Sequence, residues 1–277
     1  MIMRGTPPVR MSRVALTSCA LMVFGLAGCG DEEIVDPVRP DTLPVVGFEY
    51  AFDVPGSGRA GVVELDVSNA GEELHEYSLI KLDEGKTQED VEAFLRTGRQ
   101  EPPGWVEDVA GVPLLSPGER ISITRELEPA TYTLLCFIPS PEGVPHVELG
   151  MIRSFRLTGD SGAPLPEPDA VISATDSGFD IPELEAGSQT IELRNADDRD
   201  REFFLIALKP GKTLADIDRF FAAGEDQAEP PATFLGAMQT IPPGESVFAF
   251  VDLEADTEYT LNDNTGSQPV VATFTPR

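Results

Sequence analysis

One stretch of the chain gathers donors soft enough for a transition metal. It runs from Cys136 through Pro139, Pro141, Gly143 and Pro145 to His146, and then through Gly150 to Met151. A thiolate, an imidazole and a thioether therefore follow one another on a strand end and the loop after it. The chain has two histidines in all, so any second imidazole must come from His75. One thiolate, two imidazoles and a weak thioether make the donor set of a mononuclear copper centre. Thiolate and imidazoles in a plane suit both oxidation states of copper, so little reorganisation accompanies the transfer of an electron. Each residue also has a plainer use: a hydrogen-bonded strand histidine, a small buried thiol, a core methionine. Two readings stay open on the residues alone, a copper site and a metal-free fold.

Counting narrows the chemistry. The cysteines are Cys19, Cys29 and Cys136, too few for a disulfide scaffold or for a zinc site of several cysteines and histidines. A binuclear copper centre needs a second cysteine near Cys136, and a trinuclear cluster needs many more histidines. No phosphate-cradling glycine loop, calcium loop or Ser-His-Asp order is present, and enzyme activity is not expected. The 48 acidic and 20 basic residues give a formal charge of −28. That charge excludes a nucleic-acid binder and a protein held on anionic lipid by charge alone. A hydrophobic content of 41% is enough for a packed core.

The elements that must position these residues are written twice. Asn69-Ala70-Gly71 precedes His75-Glu76-Tyr77-Ser78-Leu79-Ile80, and Asn195-Ala196-Asp197 precedes Arg201-Glu202-Phe203-Phe204-Leu205-Ile206. Gly85-Lys86-Thr87 matches Gly211-Lys212-Thr213, Pro117-Gly118-Glu119 matches Pro243-Gly244-Glu245, and Tyr132-Thr133-Leu134 matches Tyr259-Thr260-Leu261. Domains are expected over 45–160 and 168–277, with the Pro/Gly-containing 161–167 as linker. Within each unit, apolar and polar residues alternate, as in the segments from Gly61 to Val67 and from Arg120 to Arg125, and Pro-Gly turns separate the runs. One helix interrupts each unit. Thr87 caps the first and Gly98 ends it; Thr213, Asp216 and Gly224 repeat that grammar. An all-β pair of sandwiches follows, each with a short helical insertion. Tyr132, Leu134 and Cys136 share a strand face assigned to the core. Trp105 is expected to fill core space, and the acids in both halves to form a solvated surface.

The chain opens on an address. Arg4, Arg10 and Arg13 precede an apolar run from Val14 to Ala27 that is too short to span a bilayer. The run ends in Leu26-Ala27-Gly28-Cys29, which resembles a bacterial lipoprotein lipobox. That resemblance implies a signal peptide over 1–28, with cleavage before a Cys29 that carries lipid, palmitate included, on thiol and amino group. The acidic, Pro-containing 29–44 then reads as a tether. Gly30 is not the aspartate associated with inner-membrane retention, so a Gram-negative cell would send the protein to its outer membrane, facing the periplasm or the exterior.

The stretch Ala130-Thr131-Tyr132-Thr133-Leu134-Leu135-Cys136 resembles the Gly-x-Tyr-x-x-x-Cys strand of the cupredoxins, with alanine in place of the usual glycine. Asn69-Ala70-Gly71 ahead of His75 resembles the same family, and the long loop from Cys136 through His146 to Met151 looks most like the type 1 site of copper nitrite reductases. The resemblance implies two tandem cupredoxin-like Greek-key β-sandwiches. It also implies one type 1 copper in the first, held by His75, Cys136, His146 and axially by Met151. The second repeat has Arg201 for His75 and Asp263 for Cys136, and is expected to keep the fold without metal. Glu76 departs from the family, which commonly has Asn or a small polar residue after the first histidine. Glu202 repeats it where no ligands exist, which suggests a structural role. The implied function is one-electron transfer with a redox partner protein, or copper handling, at the cell envelope. A metal-free interaction module on the same sandwich is the rival.

Overall fold

A computed structural model of the chain describes residues 40–99, 101–109, 111–223, 229–266 and 269–277. The expected signal segment 1–28, the expected lipidation residue Cys29, the expected tether up to residue 39 and the expected helix stop Gly224 lie outside the described residues. The first half contains β1 (Asp41–Phe48), β2 (Ala51–Asp53), β3 (Ser57–Arg59), β4 (Gly61–Asn69), β5 (His75–Leu82), α1 (Gln88–Leu95), β6 (Val106–Asp108), β7 (Val112–Leu115), β8 (Arg120–Leu127), β9 (Thr131–Leu135) and β10 (Ile152–Thr158). The second contains β11 (Ala170–Thr175), β12 (Gly178–Asp180), β13 (Gly187–Asn195), β14 (Arg201–Leu208), α2 (Leu214–Ala223), β15 (Ala232–Ile241), β16 (Ser246–Leu253), β17 (Tyr259–Asp263) and β18 (Val270–Phe274). The fold is all-β with two short helices among the described residues. No helix among them is long and apolar enough to cross a membrane.

The repeated sequence produces a repeated topology. β1 runs parallel to β4, which pairs antiparallel with β8; β11 runs parallel to β13, which pairs antiparallel with β16. β5 pairs with β9 as β14 pairs with β17. Both helices start on the same device. The backbone N–H and hydroxyl of Thr87 donate to Asp90 Oδ2 at 3.0 and 3.3 Å, and those of Thr213 to Asp216 Oδ2 at 2.8 and 2.7 Å.

The halves share their sheets. β16 pairs with β8 and β15 with β7, so an eight-stranded and a ten-stranded sheet each run through both repeats. Leu65 and Ile123 from one sheet meet Tyr77 and Leu134 from the other in a core that continues into Leu193, Phe203 and Leu261 of the second half. Burying one such side chain stabilises by about 1.5–3 kcal/mol, which is what holds the two sheets face to face. Two glycines allow close packing here, Gly111 within the first half and Gly236 between the halves. A Cβ on Gly111 would lie 1.8 Å from the Tyr77 carbonyl oxygen, and one on Gly236, at φ +83°, would lie 2.6 Å from Val112 Cγ1.

Three local expectations change. β1 begins at Asp41, inside the stretch read as tether, because Leu43 and Val45 alternate inward and the strand pairs along β4 from Asp41 opposite Val63. Ser122 and Thr124 of β8 are buried although they alternate with Ile121 and Ile123; β4 and β16 flank β8 on both sides and leave no open edge. Trp105 is half-buried, packed on the cluster of Leu82, Val91 and Leu135 under α1, with Lys86 Nζ 4.9 Å from its ring centre.

Candidate metal centre

Strand register brings His75 and Cys136 together. Ser78 stands opposite Leu135 in the β5–β9 ladder, so the start of β5 runs beside the residue that follows β9. The loop after Cys136 then folds back on itself as a small hairpin. Ser140 N–H donates to Val144 O at 2.8 Å, Gly143 N–H to Ser140 O at 2.7 Å, and His146 N–H to Ile138 O at 2.8 Å. Gly143 sits at the tip with φ +77°, a conformation that favours glycine. Val147 N–H donates to Cys136 O at 2.7 Å, Met151 N–H to His146 O at 2.9 Å, and Cys136 N–H to Met151 O at 3.3 Å. The long loop thus returns both His146 and Met151 to the cysteine.

Three donor atoms converge. His75 Nδ1 lies 3.2 Å from His146 Nδ1, Cys136 Sγ lies 3.4 Å from His146 Nδ1, and all three ligand atoms are within 4.8 Å of one another. His75, Cys136, His146 and Met151 are each 0% exposed. Met151 belongs to the same buried cluster as Cys136, and its backbone is bonded to two of the other three residues. The Glu76 backbone N–H points at Cys136 Sγ at 3.4 Å.

The donors can be tested against a metal. Bonds of about 2.0–2.1 Å to nitrogen and 2.3 Å to sulfur place donors about 3.3–3.8 Å apart at tetrahedral to trigonal angles. The 3.4 Å separation falls at the tight end of that range and the 3.2 Å separation just below it. One sulfur and two nitrogen donors, buried together, fit a copper ion. Burial, seconded by the neighbouring His146, pushes the His75 imidazole down to about 4, with Glu49 opposing. His146 is also lowered by burial, against the pull of Glu73. Both rings are therefore neutral near pH 7, as ligand imidazoles must be.

Acids stand behind both rings. Glu73 Oε2 lies 3.0 Å from His146 Nε2, and Glu73 Oε1 accepts the Tyr50 hydroxyl at 3.0 Å. Glu49 Oε1 is 3.8 Å from His75 Nε2 and accepts the backbone N–H groups of Glu72 and Glu73. Burial works against the ionised form of Glu49, but those two amides hold it below the ordinary carboxylate value. His75 Nε2 has no hydrogen-bond partner. Asn69 ties the segment down: its Nδ2 donates to Glu73 O at 2.8 Å and Leu115 O at 2.9 Å, and its Oδ1 accepts Gly71 N–H at 2.9 Å.

The second repeat keeps the frame and changes the contents. Asn195 Nδ2 donates to Arg199 O and Ile241 O, and Asn195 Oδ1 accepts Asp197 N–H. Glu202 N–H donates to Asp263 Oδ1 at 3.2 Å, as Glu76 N–H approaches Cys136 Sγ. The Glu76 carboxylate accepts Phe137 N–H at 2.7 Å and that of Glu202 accepts Asn264 N–H at 3.1 Å, so this glutamate braces the chain after β9 and β17 in both repeats. In place of soft donors stands a buried ion cluster. Arg201, 1% exposed, donates to Asp263 Oδ2 at 2.5 Å, to Asp197 Oδ2 at 2.7 Å and to Thr175 O.

Sequence reasoning missed Glu49, Tyr50 and Glu73: the two acids are hidden among 48, and all three lie in the connections after β1 and before β5. A signal existed in the repeat. At the repeat offset, Gly71 becomes Asp197 and Glu73 becomes Arg199, changes that accompany the loss of His75 and Cys136.

No protein-family model matches the chain, and no curated protein matches it. Among solved structures it is similar to the dithionite-reduced auracyanin of Roseiflexus castenholzii, at 21% identity over 43% of this chain and 97% of that one, with a TM-score of 0.31. It is similar to auracyanin B at 25% identity over 45% and 94%, with a TM-score of 0.31. It is also similar to a Cu-containing nitrite reductase of Thermus scotoductus at 10% identity over 85% and 61%, with a TM-score of 0.25. These scores are low, and the chemistry inferred below stands on the site's own distances and donors.

Proposed function

We propose that the first repeat binds one copper ion between His75, Cys136, His146 and Met151 and passes single electrons to and from a partner protein outside the cytoplasm. The observation that carries this reading is the convergence of His75 Nδ1, His146 Nδ1 and Cys136 Sγ in a fully buried space. Copper, when bound, supplies the one-electron couple. The chain's own residues hold the donors still. The β5–β9 ladder fixes His75 against Cys136, and the hairpin fixes His146 and Met151, so the donor set changes little between oxidation states. The Glu76 amide aimed at Cys136 Sγ tempers the charge on the sulfur. The second repeat has neither histidine nor cysteine and serves as packing or docking partner. With both histidines at this site none is left for a second copper centre, so the reading is electron transfer and not multi-electron catalysis on copper. Cys29 carries the lipid that tethers the body to the membrane, the outer one in a Gram-negative cell.

A second reading, a metal-free interaction module, draws on the same 3.2 Å contact between the rings, since one shared proton satisfies both Nδ1 atoms. Voltammetry of the copper-treated protein separates the two. Electron transfer predicts one reversible one-electron wave per chain and no added current with nitrite or dioxygen. No wave at all favours the metal-free module, and a catalytic current contradicts the assignment as a pure electron carrier.

A further inference from the structure

The two imidazoles at the site are not held alike. His146 has its Nε2 3.0 Å from the Glu73 carboxylate, and a carboxylate oxygen can only accept. The proton of neutral His146 is therefore on Nε2, and its Nδ1 presents a lone pair to Cys136 and His75. Glu73 is itself braced, by the Tyr50 hydroxyl on its other oxygen and by Asn69 on its backbone carbonyl. His75 has no such anchor: Glu49 is 3.8 Å away and Nε2 is orphaned in the buried site. Two lone pairs cannot face each other across 3.2 Å, so without metal one Nδ1 must carry a proton. With His146 fixed, that proton belongs to His75.

We propose that Glu73 is the positioning residue of this centre: it pre-sets His146 as a ligand, while His75 is the gating ligand that must move its proton from Nδ1 to Nε2 before it can bind. The proposal rests on the copper reading above for its second half only. The space beside His75 Nε2 is kept by Gly71, where a Cβ would lie 2.2 Å from Glu49 Oε1 and 2.9 Å from His75 Nε2. Glu49, 3.8 Å from Nε2, would have to close by several tenths of an ångström to accept the Nε2 proton once His75 turns its lone pair inward. In the second repeat Asp197 fills the Gly71 position and bonds Arg201, and no such proton shift exists there.

The chain has two histidines, so nitrogen labelling of histidine gives a spectrum of two rings. The test uses the full chain in detergent, metal-free and then with Cu(I), which leaves the resonances sharp. Metal-free protein should show His146 protonated on Nε2 and His75 on Nδ1. Cu(I) should move the His75 proton to Nε2 and leave that of His146 in place. Glu73→Leu should abolish the His146 preference and weaken Cu(I) binding by about 10- to 100-fold, the usual cost of losing a partner behind a ligand. Glu73→Gln is isosteric and keeps the fold. It should retain the Nε2 proton but move its resonance upfield, because an amide oxygen accepts more weakly than a carboxylate. A metal-free His146 protonated on Nδ1, or a Glu73→Gln spectrum identical to wild type, overturns the proposal. If wild-type protein takes up no copper, the proposed function fails, and the metal-free spectra still decide the role of Glu73.

Discussion

Beside one thiolate and two imidazoles a weak axial thioether tunes the potential, its donated charge easing the more positive Cu(II), and Met151 is the residue proposed to supply it. Its backbone is tied to His146 and Cys136 at 2.9 and 3.3 Å, so a side chain of similar volume should leave the loop intact. Met151→Leu is expected to keep copper and raise the reduction potential, read by voltammetry beside wild type; an unchanged potential removes Met151 from the ligand set. At this scale the three nearest donors were legible because they are rare: two histidines, and one cysteine once Cys19 and Cys29 of the expected signal and lipidation segment are set aside. Glu73 was not legible, because a glutamate among 48 acids carries no signal of its own. What a carboxylate does depends on which atom it faces, and that is a property of the fold.

Among the elements, the asparagine clamps of the two repeats offer an internal control. Asn69 and Asn195 are 2% and 0% exposed, and each spans two carbonyl oxygens. Removing either leaves buried acceptors without a donor, at about 2–4 kcal/mol. Asn69→Ala and Asn195→Ala should therefore lower stability by similar amounts in chemical denaturation. Only Asn69→Ala should also weaken copper binding, because only that clamp holds Glu73; equal effects on copper would detach the clamp from the site. The glutamate that follows each first-ligand position gives a pH test. Burial pushes Glu202 up from 4.5 to about 7, against the hydrogen bonds of Asn264. The folded state thus binds its proton more tightly than the unfolded chain. This group's stabilisation is complete below pH 4.5 and is lost as pH rises through 7. The buried histidines act in the opposite sense between the ordinary value of 6.5 and the about 4 of His75, so the comparison must be with Glu202→Gln. That variant's thermal midpoint should rise relative to wild type from pH 4.5 to pH 7; a constant difference would show that Glu202 does not titrate there. Elements were the most legible level. The Thr-Asp helix starts and the alternation in β4 follow from local spacing, whereas the burial of Ser122 and Thr124 depends on β16, a strand far along the chain.

For the molecule as a whole, the repeat was legible and the sharing of sheets was not. Pairing of β8 with β16 leaves no mark in the spacing of either strand, while the glycine that permits close approach between the halves, Gly236, looks like any other. Attachment is tested outside the described residues. Cys29→Ser should release or misprocess the protein, read by membrane fractionation, because the acidic body offers no charge-based hold on lipid; tight membrane association of a cleaved, unlipidated form would point to another anchor. The central claim is that three buried donors and a thioether hold one copper in the first repeat and none in the second. Titration of the full chain with Cu(II), followed by visible absorption and metal content, tests it most directly. One equivalent should bind with an intense thiolate-to-copper band that Cys136→Ser abolishes. No uptake, two tightly held equivalents, or a band that survives in Cys136→Ser would contradict it.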